Sequence, residues 1–300
     1  MTSVLYQQIQ QLYDKSSGLW EQIWGEHMHH GYYGPNGTLK KERRQAQIDL
    51  IEEFLNWGRA SVNPELNPEF NSKSNGFPQI LDVGCGIGGS TLYLAEKFMA
   101  EATGITLSPV QANRARERAI AAGLQQQVNF QVADALQMPL ADHSFDLVWS
   151  MESGEHMPNK IQFLQECYRV LKPGGLFLMA TWCHRPVGEA EGQLTDAERQ
   201  HLAEIYRVYA LPYVISLPEY DAIARKTGFK LIQTADWSTA VAPFWNVVID
   251  STFQLESLLG LLLSGWTTVE AALSLGLMSR GYQAGLIRFG LLRGIKSARL

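Results

Sequence analysis

The sequence contains few cysteines. Cys85, Cys167 and Cys183 are three among 300 residues, an odd number with no metal-ligand spacing. Because exported proteins usually pair their cysteines, this pattern predicts free thiols in a reducing compartment. Residues 1–8 also lack the basic and apolar regions of a secretory signal. We therefore expect a cytoplasmic protein or one held peripherally on a membrane.

The sequence also lacks an excess of positive charge. Lysine and arginine total 25 against 30 aspartate and glutamate residues, which gives a formal net charge of −5. A protein with this balance has no overall basic field to attract nucleic acid, so we predict no nucleic-acid partner. No internal repeat is visible, and the length suits one enlarged α/β domain or a domain with a cap.

A glycine-rich stretch, Ile80-Leu-Asp-Val-Gly-Cys-Gly-Ile-Gly-Gly89, organises the chain. Its apolar start predicts a buried strand, and its glycines predict a tight turn into a helix from about residue 90 to 97. The G-x-G-x-x-G spacing alone is weak evidence for a nucleotide. A dinucleotide site needs an acidic residue at the tip of the second strand. Here Thr106-Leu-Ser108 occupies that tip, which argues against a dinucleotide.

Strands and helices alternate after the glycine stretch, as a parallel α/β sheet requires. We predict strands near 80–83, 102–106, 128–132, 145–150, 176–181 and 229–236. The predicted organisation is N-terminal helices and a flap over 1–60, a linker over 61–78, a core over 79–184, a cap over 185–217 and completion of the core over 218–300. The helices of the cap open at Thr195-x-x-Glu198 and Ser216-x-x-Glu219, which are capping boxes. Tyrosines between them indicate either a substrate cap or ordinary packing.

Two segments carry clustered titratable side chains. The loop Gly25-Glu-His-Met-His-His-Gly-Tyr-Tyr-Gly-Pro35 is rich in histidine, but no cysteine or carboxylate set completes a metal site, and we predict none. It reads better as an active-site flap. Met151-Glu-Ser-Gly-Glu-His-Met157 follows the fourth strand at its carboxyl end, where open α/β sheets place their sites. An imidazole flanked by carboxylates there can accept a proton from a weakly acidic nucleophile.

The motif Asp82-x-Gly-Cys-Gly-x-Gly resembles the first motif of the class I S-adenosylmethionine-dependent methyltransferases. The resemblance implies a Rossmann-like seven-stranded sheet with an N-terminal helical flap and a helical cap, and S-adenosyl-L-methionine as cofactor, released as S-adenosylhomocysteine. Thr106 stands where the family usually has an acidic ribose ligand. The residues it predicts at the cofactor are Asp82, Gly84, Gly86, Thr106, Leu107, Gln111, Asp134, Ala135 and Ser150, with His30 and Gly31 from the flap.

Longer motifs over 24–33, 150–160, 180–186 and 235–245 resemble the γ-tocopherol C-methyltransferases, most of all those of cyanobacteria. This resemblance implies methylation of γ-tocopherol to α-tocopherol and of δ- to β-tocopherol, in vitamin E biosynthesis, by an enzyme that is cytoplasmic or peripheral on a thylakoid or plasma membrane. We expect His156 to act as base, oriented by Glu152 or Glu155. The predicted residues for the prenylated phenol are Tyr13, Trp24, His29, Trp182, Tyr206, Tyr213 and Trp245.

Other functions remain open from the sequence. Plant alkaloid N-methyltransferases share parts of these motifs, so a small-molecule amine is an alternative substrate. A cofactor-binding lipid carrier without catalysis is another alternative. The apolar run over 257–279, with basic residues after it, could form a marginal membrane span, a helical hairpin or a peripheral contact with an anionic membrane. Alternatively, the chain ends in an antiparallel strand near residues 289–295.

Overall fold

A seven-stranded mixed sheet forms the centre of the protein. A computed structural model describes residues 14, 21, 24–60, 78–252 and 266–297. The predicted N-terminal helix over 2–24 falls largely outside these residues, as do Tyr13, most of the 61–78 linker and the first part of the apolar run over 257–279. The fold confirms the α/β architecture expected of class I methyltransferases.

The strands run in the order β3-β2-β1-β4-β5-β7-β6, and β7 is antiparallel to both of its neighbours. Their bounds are β1 Gln79–Val83, β2 Glu101–Thr106, β3 Val128–Val132, β4 Phe145–Met151, β5 Leu171–His184, β6 Lys230–Asp236 and β7 Ile287–Ile295. The six strands predicted after the glycine stretch and the final antiparallel strand are thereby confirmed. The strand order reverses between β1 and β4, and this switch point creates a crevice at the carboxyl ends of the two strands, where such sheets bind ligands.

Helices cover both faces of the sheet. They are α1 Arg43–Ala60, α2 Gly89–Phe98, α3 Pro109–Ala121, α4 Lys160–Val170, α5 Asp196–Val208, α6 Leu217–Thr227, α7 Ser238–Val241, α8 Pro243–Thr252 and α9 Trp266–Gln283, with a 3₁₀ turn at Gly154–His156. One core layer joins the sheet to α1, α8, α9 and the cap helix α5, and the opposite layer joins it to α4 and α6.

Local capping signals set several helix starts. Thr195 and Glu198 exchange the reciprocal hydrogen bonds of a capping box at the start of α5, and Ser216 and Glu219 do so at the start of α6. The Ser108 hydroxyl accepts a hydrogen bond from the Gln111 amide, directly before a proline in the first turn of α3. Both predicted capping boxes are confirmed.

The basic residues near the C-terminus belong to the sheet and its end. The Arg293 side chain is buried in β7, and Lys296 is buried with its ammonium donating to the carbonyls of Tyr168 and Arg169. Arg288 lies 3.5 Å from Asp236. Arg293 and Lys296 therefore contribute no exposed charge, whereas Arg280 in α9 is exposed, and Arg299 lies outside the described residues. Among the residues that the structure describes, no helix has the length and apolar character needed to cross a bilayer.

Candidate active site

A deep cavity opens at the carboxyl ends of β1, β2 and β4 and extends between the flap and the cap. One end is polar and lies along the glycine turn after β1 and the tips of β2 and β3. The other end is largely apolar. Its lining there includes Met151, Met157, Trp182, Val208 and Tyr209. A cavity of this shape can place a polar ligand against an apolar one.

The glycine turn leaves open space at the polar end. Gly84 has φ +82° and lies so close to Ser153 that a Cβ at this position would be 2.3 Å from the Ser153 Cβ. Gly86 also has a positive φ, +53°, but a Cβ there would meet only the Met28 sulfur, at 4.0 Å. Glycine is needed at both positions, and the space beside Gly86 is free for a ligand.

Hydrogen bonds hold the polar side chains of this end in place. The Thr91 hydroxyl donates to the Asp82 carboxylate at 2.7 Å, and the Thr106 hydroxyl donates to the side-chain oxygen of Gln111 at 2.8 Å. Asp134 accepts the Leu136 amide at 2.8 Å. Burial raises the pKa of Asp82 to about 7, although its hydrogen bonds with Thr91 oppose the shift. A cationic group entering the cavity would favour the charged carboxylate.

The flap is held against α1 by one buried amide. The Gln47 side-chain nitrogen donates to the carbonyls of Trp24, His27 and His29. Gly31 packs against the same helix, where a Cβ would lie 2.6 Å from the Ala46 Cβ. The histidine-rich loop is thus a packed wall of the cavity.

His30 and Glu152 join the flap to the end of β4. The Glu152 carboxylate accepts the His30 backbone amide and the His30 Nδ1–H, both at 2.7 Å, and the Trp182 indole N–H at 3.0 Å. Burial alone would raise the pKa of Glu152, but the charge and hydrogen bonds of His30 outweigh burial and lower it. Glu152 also has φ +52°, a left-handed conformation that is strained for a residue with a side chain.

The imidazole of His30 lies among aromatic rings, with ring centroids 5.0–6.0 Å away. The rings are those of Trp182, Phe244, Trp245, Tyr282 and Phe289. This packing of rings fixes the orientation of the imidazole that binds Glu152.

The 3₁₀ turn after β4 presents Glu155 and His156 to the cavity. Glu155 accepts the Thr181 hydroxyl at 2.8 Å, and burial, followed by the charge of Glu152, raises its pKa to about 8. Burial, followed by the charge of Lys160, lowers the pKa of His156 to about 3. At neutral pH the turn therefore presents a protonated carboxyl group and a neutral imidazole.

A buried lysine braces this turn from below. The Lys160 ammonium donates to the carbonyls of Gly154 and Glu155, both at 2.9 Å, and lies 4.8 Å from the Tyr213 ring centroid. Burial lowers the pKa of Lys160 to about 7. Tyr213 thus packs against the lysine that supports the 3₁₀ turn.

Most of the residues expected at the site line the cavity. They are the expected catalytic residues Glu152, Glu155 and His156, the expected cofactor residues Asp82, Gly84, Gly86, Thr106, Leu107, Gln111, Asp134 and Ala135, and the expected substrate residues Trp24, His29 and Trp182. Their roles stay predictions. Glu152 accepts hydrogen bonds from His30 and Trp182, and Glu155 accepts one from Thr181. The expected orientation of His156 by Glu152 or Glu155 stays a prediction.

Several other expected residues lie away from the lining. The His30 imidazole lies among aromatic rings of the core, and Gly31 packs against α1. Ser150 is buried, with its hydroxyl bonded to Ser153 at 2.8 Å. The Tyr206 hydroxyl accepts the Val214 amide, and Trp245 packs in the core against Trp24 and Trp182. With Tyr213 over Lys160, these three aromatics stabilise the walls from behind. From sequence alone, an aromatic residue that packs in a core looks the same as one that lines a binding site.

Sequence reasoning missed Gln47 and the methionines that line the cavity. Met28, Met151 and Met157 stand next to the histidines and glutamates that were selected, so their neighbours in sequence were the available signal. Gln47 lies in the middle of a helix with nothing nearby in sequence to mark it. Among the described residues, no group of histidine, cysteine, aspartate or glutamate side chains could hold a metal ion.

The sequence comparisons agree with this geometry. A family model described as a methyltransferase domain matches residues 81–179. The chain is 45% identical over 294 residues to the chloroplastic tocopherol O-methyltransferase of Arabidopsis thaliana, covering 97% of this chain and 82% of that protein. A relative from Oryza sativa subsp. japonica is 48% identical, covering 93% of this chain and 75% of its own length. Norajmaline N-methyltransferase of Rauvolfia serpentina is 32% identical, with 94% and 95% covered.

A solved structure matches the fold. Geranyl diphosphate C-methyltransferase from Streptomyces coelicolor A3(2), solved with S-adenosyl-L-homocysteine, superimposes with a TM-score of 0.71 at 19% identity, covering 97% of each chain. Identity this low shows a shared fold alone. The relatives and the domain match identify the cofactor of this chain as S-adenosyl-L-methionine.

Proposed function

From its membership of the S-adenosylmethionine-dependent methyltransferases, in the family that includes the plant tocopherol methyltransferases, we propose that the chain methylates a ring carbon of γ-tocopherol. The product of this reaction is α-tocopherol, and the same reaction converts δ-tocopherol to β-tocopherol. The observation that carries the proposal is the cavity itself. Its glycine-lined polar end continues into an apolar end that meets a neutral imidazole and a protonated carboxyl group.

The polar end fits the cofactor. Asp82, Gly84 and Gly86 would hold its amino acid part and ribose, and Asp134 with Ala135 would meet the adenine. The open space beside Gly86 and the buried Asp82 carboxyl group, ready to face a cation, support this arrangement. When bound, S-adenosylmethionine supplies a methyl group on a positively charged sulfur, which is the electrophile of the reaction.

The apolar end fits a prenylated phenol. The side chains of Met151 and Met157 line it, and flexible thioethers adapt to a long hydrocarbon chain without demanding one shape. Trp182 and Tyr209 add flat apolar surface suited to an aromatic ring. The walls exclude water, so the nucleophile would meet the methyl donor in a dry pocket.

The charge state of the cavity favours a phenol over an amine. A basic amine reaches the site as an ammonium ion and needs a carboxylate to compensate its charge. Glu152 already accepts hydrogen bonds from His30 and Trp182, and Glu155, with its pKa raised to about 8, is mostly protonated at neutral pH. A neutral phenol requires no counter-charge.

His156 is the proposed acceptor of the hydroxyl proton. A phenol has a pKa of about 10, whereas burial holds the pKa of His156 at about 3, so complete proton transfer in the ground state is unfavourable. The hydroxyl becomes far more acidic as its ring carbon bonds to the methyl group and loses electron density. His156 would therefore take the proton during methyl transfer, as a general base.

Product analysis tests this proposal. The purified protein is given γ-tocopherol, an isoquinoline amine and labelled S-adenosylmethionine side by side. We expect label in α-tocopherol, with a free hydroxyl and a new ring methyl group by NMR. A methyl ether would place transfer on oxygen and contradict ring methylation. Label in the amine would establish the N-methyltransferase alternative, and no labelled product from any prenylated phenol would favour the lipid-carrier alternative.

We also propose a peripheral contact with a membrane, since a phytyl-bearing substrate partitions into bilayers. Leu39 is 51% exposed and Lys40 is exposed, in the segment between the flap and α1. An apolar side chain beside a cation suits the surface of an anionic bilayer. Co-sedimentation with anionic vesicles should fall for Leu39→Ser, and equal recovery of the variant and the parent protein would contradict this contact point.

A further inference from the structure

His29 has a buried nitrogen atom in the wall of the cavity that is unpartnered among the residues described. Its side chain is 4% exposed and lines the cavity from the flap. Nδ1 lies 2.8 Å from the carbonyl oxygen of His30. Because a carbonyl only accepts hydrogen bonds, Nδ1 must carry the hydrogen and the neutral ring has its lone pair on Nε2. Within the described part of the chain, Nε2 has no hydrogen-bond partner.

The surroundings keep this imidazole neutral and fixed. Burial lowers the pKa of His29, while the nearby Glu152 carboxylate acts in the opposite direction. The side chain is thus an unprotonated acceptor at neutral pH, and Glu152 would stabilise the imidazolium that forms once a proton arrives. The Gln47 amide donates to the His29 carbonyl at 2.9 Å and fixes the backbone that carries the ring.

Methylation at a ring carbon requires a second proton acceptor. As the new carbon–carbon bond forms and the sulfur–methyl bond breaks, the hydroxyl proton leaves and the ring becomes a neutral dienone. The methylated carbon still carries its original hydrogen. That hydrogen must leave as a proton while the oxygen regains one, which restores the aromatic phenol. Overall the reaction releases one proton, which matches the positive charge lost by the cofactor.

We infer that His29 Nε2 accepts the proton from the methylated ring carbon, while His156, which lines the same cavity, exchanges the hydroxyl proton. This assignment rests on the proposed ring methylation. It gives each of the two cavity imidazoles one proton to handle. It also makes the flap part of the chemistry, because the flap supplies the base for rearomatisation.

A deuterium isotope effect tests the assignment. γ-Tocopherol carrying deuterium at the ring carbon to be methylated is compared with unlabelled substrate. For His29→Gln we expect kcat to fall by about 10²–10⁴-fold, the usual contribution of a general base. We also expect an isotope effect on kcat larger than that of the parent protein, because carbon–hydrogen cleavage becomes limiting. His156→Gln should slow turnover without enlarging the isotope effect.

His27→Gln is the matched control. His27 is buried in the same flap, its carbonyl also accepts the Gln47 amide, and it lies outside the cavity lining. The kcat and the isotope effect of the His27→Gln variant should stay near those of the parent protein. ¹⁵N NMR of the parent protein should show His29 with hydrogen on Nδ1 and none on Nε2.

Three results would overturn the inference. They are unchanged turnover in His29→Gln, slow turnover without a larger isotope effect, and a loss of S-adenosylhomocysteine affinity in calorimetry that accounts for the slower reaction. Failure of the proposed function is distinct, because then the parent protein itself forms no ring-methylated product.

Discussion

Glu152 and His30 bind each other through two hydrogen bonds of 2.7 Å, although 122 positions separate them in the chain. One bond joins a flap backbone amide to the carboxylate, and the other joins the imidazole to the same group. The carboxyl side chain is only 3% exposed. The end of β4 and the flap are therefore fixed to each other at the edge of the cavity.

Removing the charge of Glu152 should destabilise the protein strongly. In Glu152→Gln the amide nitrogen must face either the His30 backbone N–H or the two donors at Oε2, His30 Nδ1 and Trp182 Nε1. We expect the unfolding free energy to fall by about 3 kcal/mol, as for a broken buried pair. Urea denaturation at neutral pH measures this change in unfolding free energy.

Glu155→Gln is the matched control for that experiment. Because the pKa of Glu155 is raised to about 8, the folded protein already holds a neutral carboxyl group there, which an amide resembles. Its unfolding free energy at neutral pH should therefore not fall below that of the parent protein. Equal losses in the two variants would contradict the different charge states assigned to them.

The same carboxyl group should make stability depend on pH. Its pKa in the folded protein, about 8, exceeds the ordinary 4.5, so the folded state binds more protons between these values. The contribution of Glu155 to stability therefore falls as pH rises from about 4.5 to about 8. Relative to the parent protein, Glu155→Gln should gain stability across this window, as measured by unfolding at several pH values. A constant difference would show that the pKa is not raised.

Gly86→Ala should impair cofactor binding more than folding. A Cβ at Gly86 meets only the Met28 sulfur, at 4.0 Å, so it would occupy the space left for a ligand. Gly123→Ala is the control, since that glycine also has a positive φ, +72°, with nothing within 4 Å of its added Cβ. Each variant should lose about 1–2 kcal/mol of stability through left-handed strain.

Calorimetry with S-adenosylhomocysteine separates the two glycine variants. Gly86→Ala should weaken binding by roughly tenfold or more, which corresponds to at least about 1.4 kcal/mol. Gly123→Ala should bind like the parent protein. Normal affinity in Gly86→Ala would place the cofactor elsewhere in the cavity.

Gln47→Leu should release the flap. The change leaves the carbonyls of Trp24, His27 and His29 without their shared donor, and it should cost about 2 kcal/mol. Amide hydrogen exchange over residues 24–33 should accelerate. Gln45→Leu is the control on the same helix, because the exposed side chain of Gln45 donates to Asp49 within α1 and has no bond to the flap among the described residues. Equal exchange rates in the two variants would argue against Gln47 as the anchor of the flap.

Local sequence signals predicted the elements of the fold well. The glycine turn, Pro109 and the capping boxes at Thr195 and Ser216 each fix backbone geometry within a few residues, so their effect can be read from short segments. The alternation of apolar strands with helices gave the sheet in the same way. These features depend on neighbours in the chain rather than on distant contacts.

Distant pairings could not be predicted. The sequence places Glu152 beside His156, but the fold gives Glu152 to His30 and Trp182. The contact between Tyr213 and the Lys160 ammonium was equally invisible in the sequence. Such partners depend on how separate elements pack, and short motifs carry no information about that packing. Charge states followed from burial in the same way, as the raised pKa of Glu155 illustrates.

The position of β7 has a consequence for how the chain is made. Strand β6 is bonded only to β7, which lies between it and β5 although β7 is the last strand in sequence. A ribosome must therefore release residue 295 before β6 can join the sheet. Until then two strand edges stay open to unwanted pairing, and the nascent protein depends on rapid completion or on a chaperone to avoid aggregation.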